Sequence, residues 1–135
     1  MVAKAIREGF HTVTPYLIVQ EADNLVEFVK QAFGGTESFR SIGSAGGLHA
    51  EVRIGDSMVM IGGGAGDGVW SGEPMPATLY LYLNDVDTVY SRALQAGATS
   101  IMAPEDQPYG DRLAGVKDRF GNVWYISTHI EDVPM

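Results

Sequence analysis

Residues 78–99, TLYLYLNDVDTVYSRALQAGAT, follow the same plan as residues 14–36, TPYLIVQEADNLVEFVKQAFGGT. Each stretch opens with a short alternating run, passes through an acidic turn, and continues with apolar residues at helical spacing. In the first copy those positions are Ala22, Leu25, Val26, Phe28, Val29, Ala32 and Phe33, and Gly34-Gly35 stops the helix. In the second they are Val86, Val89, Tyr90, Ala93 and Leu94, with the stop at Gly97. Tyr16-Leu17 aligns with Tyr80-Leu81, Gln20-Glu21 with Asn84-Asp85, and Gly34 with Gly97, which marks an internal duplication.

Each helix is followed by further strand-like runs: residues 37–42, 48–54 and 57–61 in the first half, and 100–103, 113–117 and 122–128 in the second. Gly55-Asp56 and Phe120-Gly121 supply turns, and Asn122 belongs to the second of these. The fold class predicted is α+β, two tandem βαβββ modules. A module of this kind covers one sheet face with its helix and leaves the other open, so the open faces are expected to curl around a cavity. Module one is expected at about 10–62, a glycine-rich linker at 62–77, module two at 78–128 and an acidic tail after it, all in one domain.

Strand parity sorts the side chains between the two faces. Leu17, Val19, Leu79, Leu81, Leu83, Trp124 and Ile126 belong under the helices. Thr14, Tyr16, Ile18, Met58, Met60, Thr78, Tyr80, Tyr82 and Tyr125 then fall on the open faces. Tyr109 is expected near the cavity mouth, since its loop precedes a lining strand. The glycines of residues 62–77 admit two readings, a flexible linker or a mobile flap carrying Trp70 over the mouth. No GK[ST] follows them, which disfavours a phosphate-binding loop.

The 135 residues suit one domain with a real core. A chain without cysteine has no disulfide, thiolate metal site or cysteine nucleophile, so its chemistry must use oxygen and nitrogen. A formal charge of −8, with only 9 scattered Lys and Arg, opposes binding to nucleic acid. No apolar run approaches the roughly 20 residues that span a bilayer, and MVAKAIREGF has no apolar signal core, so a soluble cytoplasmic protein is expected.

The paired modules, together with HAEVRIGDSMVMI (49–61), YLYLNDVDTVYSRALQAGA (80–98) and YGDRLAGVKDRFGNVWYISTHIEDV (109–133), resemble the glyoxalase, bleomycin-resistance and extradiol-dioxygenase superfamily, the vicinal oxygen chelate proteins. HAE, GDR, the DPFGN-like DRFGN and THIED resemble a bacterial glyoxalase-like branch of it. The resemblance implies a homodimer with a ligand cavity on the open faces. It also implies metal ligands on the first and last strands of each module, at positions held here by Thr14, Met60, Thr78 and Tyr125. Hydroxyls, a thioether and a phenol replace the family's His, Gln and Glu, so neither a metal nor another cofactor is expected.

The function expected is metal-independent binding of a small aromatic or amphipathic compound, with Tyr16, Met58, Met60, Trp70, Tyr80, Tyr82, Tyr109 and Tyr125 lining the pocket. The alternative is a glyoxalase- or dioxygenase-like enzyme holding a divalent metal through His49 and Glu51. Those two residues share a strand face with Arg53, and they read equally as an acid-base pair or as groups that satisfy one another. His11 and His129 are weaker ligand candidates near the termini, and THIEDVPM reads as a solvated acidic tail. Arg112 reads as a surface residue bridging Asp111 or Asp118, or as a partner for an anionic ligand.

Overall fold

The computed structural model describes residues 4–42, 47–63 and 74–134. Trp70 and residues 64–73 around it, on which the flap reading depends, lie outside the described residues. The first half runs β1 (Tyr16–Ile18), α1 (Ala22–Phe33), β2 (Thr36–Ile42), β3 (Leu48–Ile54) and β4 (Ser57–Gly63). The second repeats it as β5 (Thr78–Tyr82), α2 (Val86–Gln95), β6 (Thr99–Asp106), β7 (Asp111–Lys117) and β8 (Val123–His129). These are two tandem βαβββ modules, and the strand orders match: β1-β4-β3-β2 in one sheet and β5-β8-β7-β6 in the other. The first strand of each pairs parallel with the last, and the remaining pairs are antiparallel.

The chain divides into two units, Met1–Lys30 with Gly34–Met75, and Gln31–Phe33 with Pro76–Met135. Local chemistry ends the helices where the glycines predict. Gly34 takes the left-handed conformation at φ 68° and returns its N–H to Lys30 O at 3.1 Å. Asp85 caps α2, its carboxylate accepting from Thr88 N at 3.3 Å and from the Thr88 hydroxyl at 2.7 Å. Its counterpart Glu21 makes no such bond, so the duplicated turn is capped by a side chain in one copy only.

In the first unit one row of side chains is buried: Leu17 opposite Ile61, Ile61 opposite Ala50, and Val59 opposite Val52. The other face carries Tyr16 opposite Met60 and Met60 opposite Glu51, with His49 opposite Gly62 one step along. In the second unit α2 lies against β6, β7 and β8. On that side Trp124 pairs with Leu79 and Val116, and Ile126 with Leu81 and Ala114. Trp124 and Ile126 are fully buried there as core residues, each worth about 1.5–3 kcal/mol of transfer free energy. The face away from α2 carries Tyr80, Tyr125 and Gly115 in one line and Tyr82, Ser127 and Leu113 in the next. Among the described residues no helix is long and apolar enough to cross a membrane.

The segment read as a linker begins later than expected. Gly62 and Gly63 belong to β4, and Met75 bridges back to Ile18. Strand β6 also outruns its predicted span of 100–103, because two register irregularities let the chain pass Pro104 and stay paired with β7.

Candidate functional site

Each unit carries one polar cluster on the face away from its buried row. In the first, Glu51 on β3 is only 2% exposed. A buried carboxylate needs donors. Arg7 supplies two in a fork, Nη1 to Oε2 at 3.1 Å and Nη2 to Oε1 at 2.8 Å. His49 approaches Oε2 through Nε2 at 3.1 Å, and its Nδ1 lies 2.9 Å from the Tyr16 hydroxyl. Because a carboxylate only accepts, Nε2 carries the proton, and Nδ1 of a neutral imidazole then accepts from Tyr16.

The neighbouring backbone makes this chain of bonds possible. A Cβ at Gly62 would run into the Tyr16 hydroxyl and lie 3.0 Å from two ring carbons, so glycine there gives the phenol its place beside His49. The Arg7 fork holds the Glu51 carboxyl below its usual range, against the opposing effect of burial and with help from His49. Burial, then the Glu51 charge, pushes the Tyr16 phenol up.

In the second unit the centre is Asp111, also 2% exposed. The Tyr80 and Tyr82 hydroxyls donate to Oδ2 at 2.7 and 3.0 Å, and His129 Nδ1 meets Oδ1 at 2.8 Å. His129 Nε2 lies 2.7 Å from Asp132, so only the imidazolium donates to both carboxylates. Tyr80 also reaches Ser127 Oγ at 3.3 Å. His129, then the phenols, hold the Asp111 carboxyl down at about 2 against burial. Asp132 first and Asp111 second raise the His129 imidazole. Burial chiefly pushes Tyr80 far above the phenol range, while Tyr82 is raised mainly by its bond to Asp111.

The signs of these shifts define a pH window. A depressed carboxyl contributes stability above its unfolded value of 3.8, lost as pH falls toward 2, while a raised imidazole contributes below 6.5 and loses it as pH rises through the folded value. Asp111→Asn keeps an acceptor oxygen but loses the charge, and is expected to cost about 1–2 kcal/mol near pH 5–6. Urea unfolding at a series of pH values checks this: the gap between parent and variant narrows below pH 3.8. A gap that stayed constant down to about pH 2 would remove Asp111 from the acid limb.

The predicted residues separate into two groups. Tyr16, His49, Glu51, Met58 and Met60 share a face in the first unit, although Met58 is buried. Arg53 lies on that face too, close beside Gly9. Tyr80, Tyr82 and Tyr125 share a face in the second unit, and Tyr109 is half-exposed. The Tyr125 ring lies over Gly115, where a Cβ would sit 3.2 Å from Cε1, and its centroid is 6.2 Å from that of Tyr80.

Other expectations are corrected. Arg112 bridges neither Asp111 nor Asp118. Its parity puts it on the α2 side, where it forks Asp87 at 3.0 and 3.1 Å and meets Asp106 at 2.9 Å. His129 does not open a merely solvated tail, because it ends β8 and Ile130 and Glu131 donate to Gly110 O. His11 is exposed, with Nε2 3.3 Å from Asp56 O. Arg7, Asp111 and the turn carboxylate Asp118 were not singled out by sequence. Parity along β7 was a signal for Asp111, since it sets that residue on the Leu113 and Gly115 face.

Thr14 precedes β1, Met60 lies in β4, Thr78 opens β5 and Tyr125 lies in β8. Hydroxyls, a thioether and a phenol are poor donors for zinc, nickel or iron(II), so these positions do not fit the divalent metal of the resembling enzymes. Among the described residues no group of three His, Cys, Asp or Glu side chains is placed to hold a metal ion.

Two tandem βαβββ modules, each with a polar side-chain cluster on the face away from its buried row, define the α+β class to which the protein belongs. The chain belongs to the Glyoxalase/Bleomycin resistance protein/Dioxygenase superfamily, whose profile matches residues 9–126. It is 37% identical over 131 residues to an uncharacterized protein of Mycobacterium bovis, covering 91% of this chain and 86% of the relative. Two solved structures share its fold. TioX from Micromonospora sp. ML1 has a TM-score of 0.72 at 23% identity, with 89% of this chain and 99% of that one covered. TnmS3, an antibiotic binding protein from Streptomyces sp. CB03234, has a TM-score of 0.70 at 21% identity, with 94% and 99% covered.

Proposed function

We propose that the protein binds a small aromatic or amphipathic compound without a metal and without a covalent step, as a cytoplasmic homodimer. The observation that carries this reading is the line Tyr80, Tyr125, Gly115. Where the resembling metal enzymes carry glutamate, Tyr125 presents a ring laid over a glycine, beside the ring of Tyr80. A planar ligand gains about 0.5–1.5 kcal/mol per well-placed ring beyond its buried area. The antibiotic-binding TnmS3 supports the reading through its shared fold. The homodimer is carried over from the family resemblance.

The test is a fluorescence titration of chelator-treated protein with a panel of planar aromatic compounds. The expected result is saturable binding that chelator leaves unchanged and that Tyr125→Ala weakens by about tenfold, equivalent to 1.4 kcal/mol. Binding indifferent to Tyr125→Ala, or no saturable binding across the panel, contradicts the proposal.

A second reading, a divalent-metal enzyme, draws on the Tyr16, His49, Glu51 chain of hydrogen bonds. Against it, both oxygens of Glu51 already accept from Arg7, and one also meets His49. Metal-dependent turnover lost in Glu51→Gln would favour this reading over the first.

A further inference from the structure

We infer that the tyrosine face of the second unit selects an organic cation, an amine or quaternary ammonium seated against the rings of Tyr80 and Tyr82 over Asp111. The inference rests on the binding reading above and adds the charge of the ligand. The two ring centroids are 5.3 Å apart and the planes are tilted by 54°, while both hydroxyls converge on one oxygen of Asp111. The hydroxyl ends are thus tied down and the ring surfaces are not: Tyr80 is 42% and Tyr82 64% exposed. A phenol that donates to a carboxylate gains electron density, which deepens the negative potential over its ring face, the surface that attracts ammonium groups.

The surrounding charge has the matching sign. Asp111 and Asp132 flank the single His129, which leaves one negative charge in excess when the imidazole is protonated, and Glu131 adds another in the exposed segment after β8. Arg112 does not offset this, since it is committed to Asp87 and Asp106 on the helix side. The whole chain carries −8, so an anion is repelled and a neutral aromatic gains stacking alone. A cation gains stacking and the charge term together.

The experiment compares two isosteres on the full chain by calorimetry, 4-(trimethylammonio)phenol and 4-tert-butylphenol, which differ in charge and hardly in shape. The cation is expected to bind about 5- to 30-fold more tightly, the range of one to two cation–π contacts. Tyr82→Leu is expected to remove most of that advantage, and Tyr82→Phe, which keeps the ring and loses the bond to Asp111, only part of it. Unchanged melting of both variants would show that the fold is retained. Equal affinity for the two compounds, or a cation advantage untouched by Tyr82→Leu, overturns the inference and leaves the binding reading standing. If neither isostere binds while a compound of the aromatic panel does, the cation inference alone falls. If nothing in the panel binds either, both fall.

Discussion

Asp118→Ala is expected to lower the unfolding free energy by about 3–5 kcal/mol, a loss on the scale of truncating a large core side chain. Asp118 begins the turn DRFGN and is 4% exposed. Its Oδ1 accepts from Phe120 N at 2.9 Å and Asn122 N at 3.0 Å. Its Oδ2 accepts from Asn122 Nδ2 at 3.0 Å and from the indole N–H of Trp124 at 2.8 Å. Asn122 in turn accepts from Ala77 N at 2.9 Å, so the turn, the strand after it and the chain leading into β5 hang on one carboxylate.

Trp124 and Asn122 are fully buried. Alanine at 118 therefore takes the shared acceptor from donors that water does not reach, and each such loss costs about 1–3 kcal/mol. Asp118→Asn should fall between parent and alanine, because its amide turns an N–H toward donors that need an acceptor. Urea midpoints for the three proteins measure the effect. A loss below about 1 kcal/mol for alanine would mean that the turn closes without the carboxylate.

Arg7→Ala is the second large effect, a loss of stability at pH 7 because the buried Glu51 carboxylate is left without its principal donor. The Arg7 side chain is 64% exposed, which makes the loss smaller than that of breaking a fully buried pair. The sign of its pH dependence is the sharper test. In the parent the Glu51 carboxyl is depressed, so it contributes stability above the ordinary value of 4.5 and loses it as pH falls. Without Arg7, burial dominates and the carboxyl moves upward, so the variant gains relative to the parent on acidification. The gap between the two proteins closes below pH 4.5. A gap that widened in acid would show that Arg7 is not the principal partner of Glu51.

The fold was legible because the duplicated plan repeats over two stretches, and a coincidence of turn, helix period and glycine stop is hard to produce by chance. Period-two alternation also divided the faces correctly, placing Tyr80 and Tyr125 together and Trp124 opposite them. What stayed hidden depends on register and reach. Arg7 meets Glu51 across 44 positions from a segment with no periodicity to read. Asp118 looked like part of a turn governed by Gly121 and Asn122, and only the buried indole reveals what its carboxylate does. Arg112 reads from the sequence as a surface residue bridging Asp111 or Asp118, or as the partner of an anion, whereas strand parity turns it toward α2, where it pairs with Asp87 and Asp106 instead.

The most direct test of the central claim is the melting temperature of chelator-stripped protein with Zn, Ni, Mn and Fe(II) added singly, and separately with the aromatic panel. A ligand that binds the native state stabilises it by RT ln(1 + [L]/Kd), so any specific site must appear as a shift. The account predicts no specific shift with any metal, and a shift with at least one aromatic compound that Tyr125→Ala diminishes. A clear upward shift with one metal, lost in Glu51→Gln, would contradict it and make His49 and Glu51 the ligands to pursue.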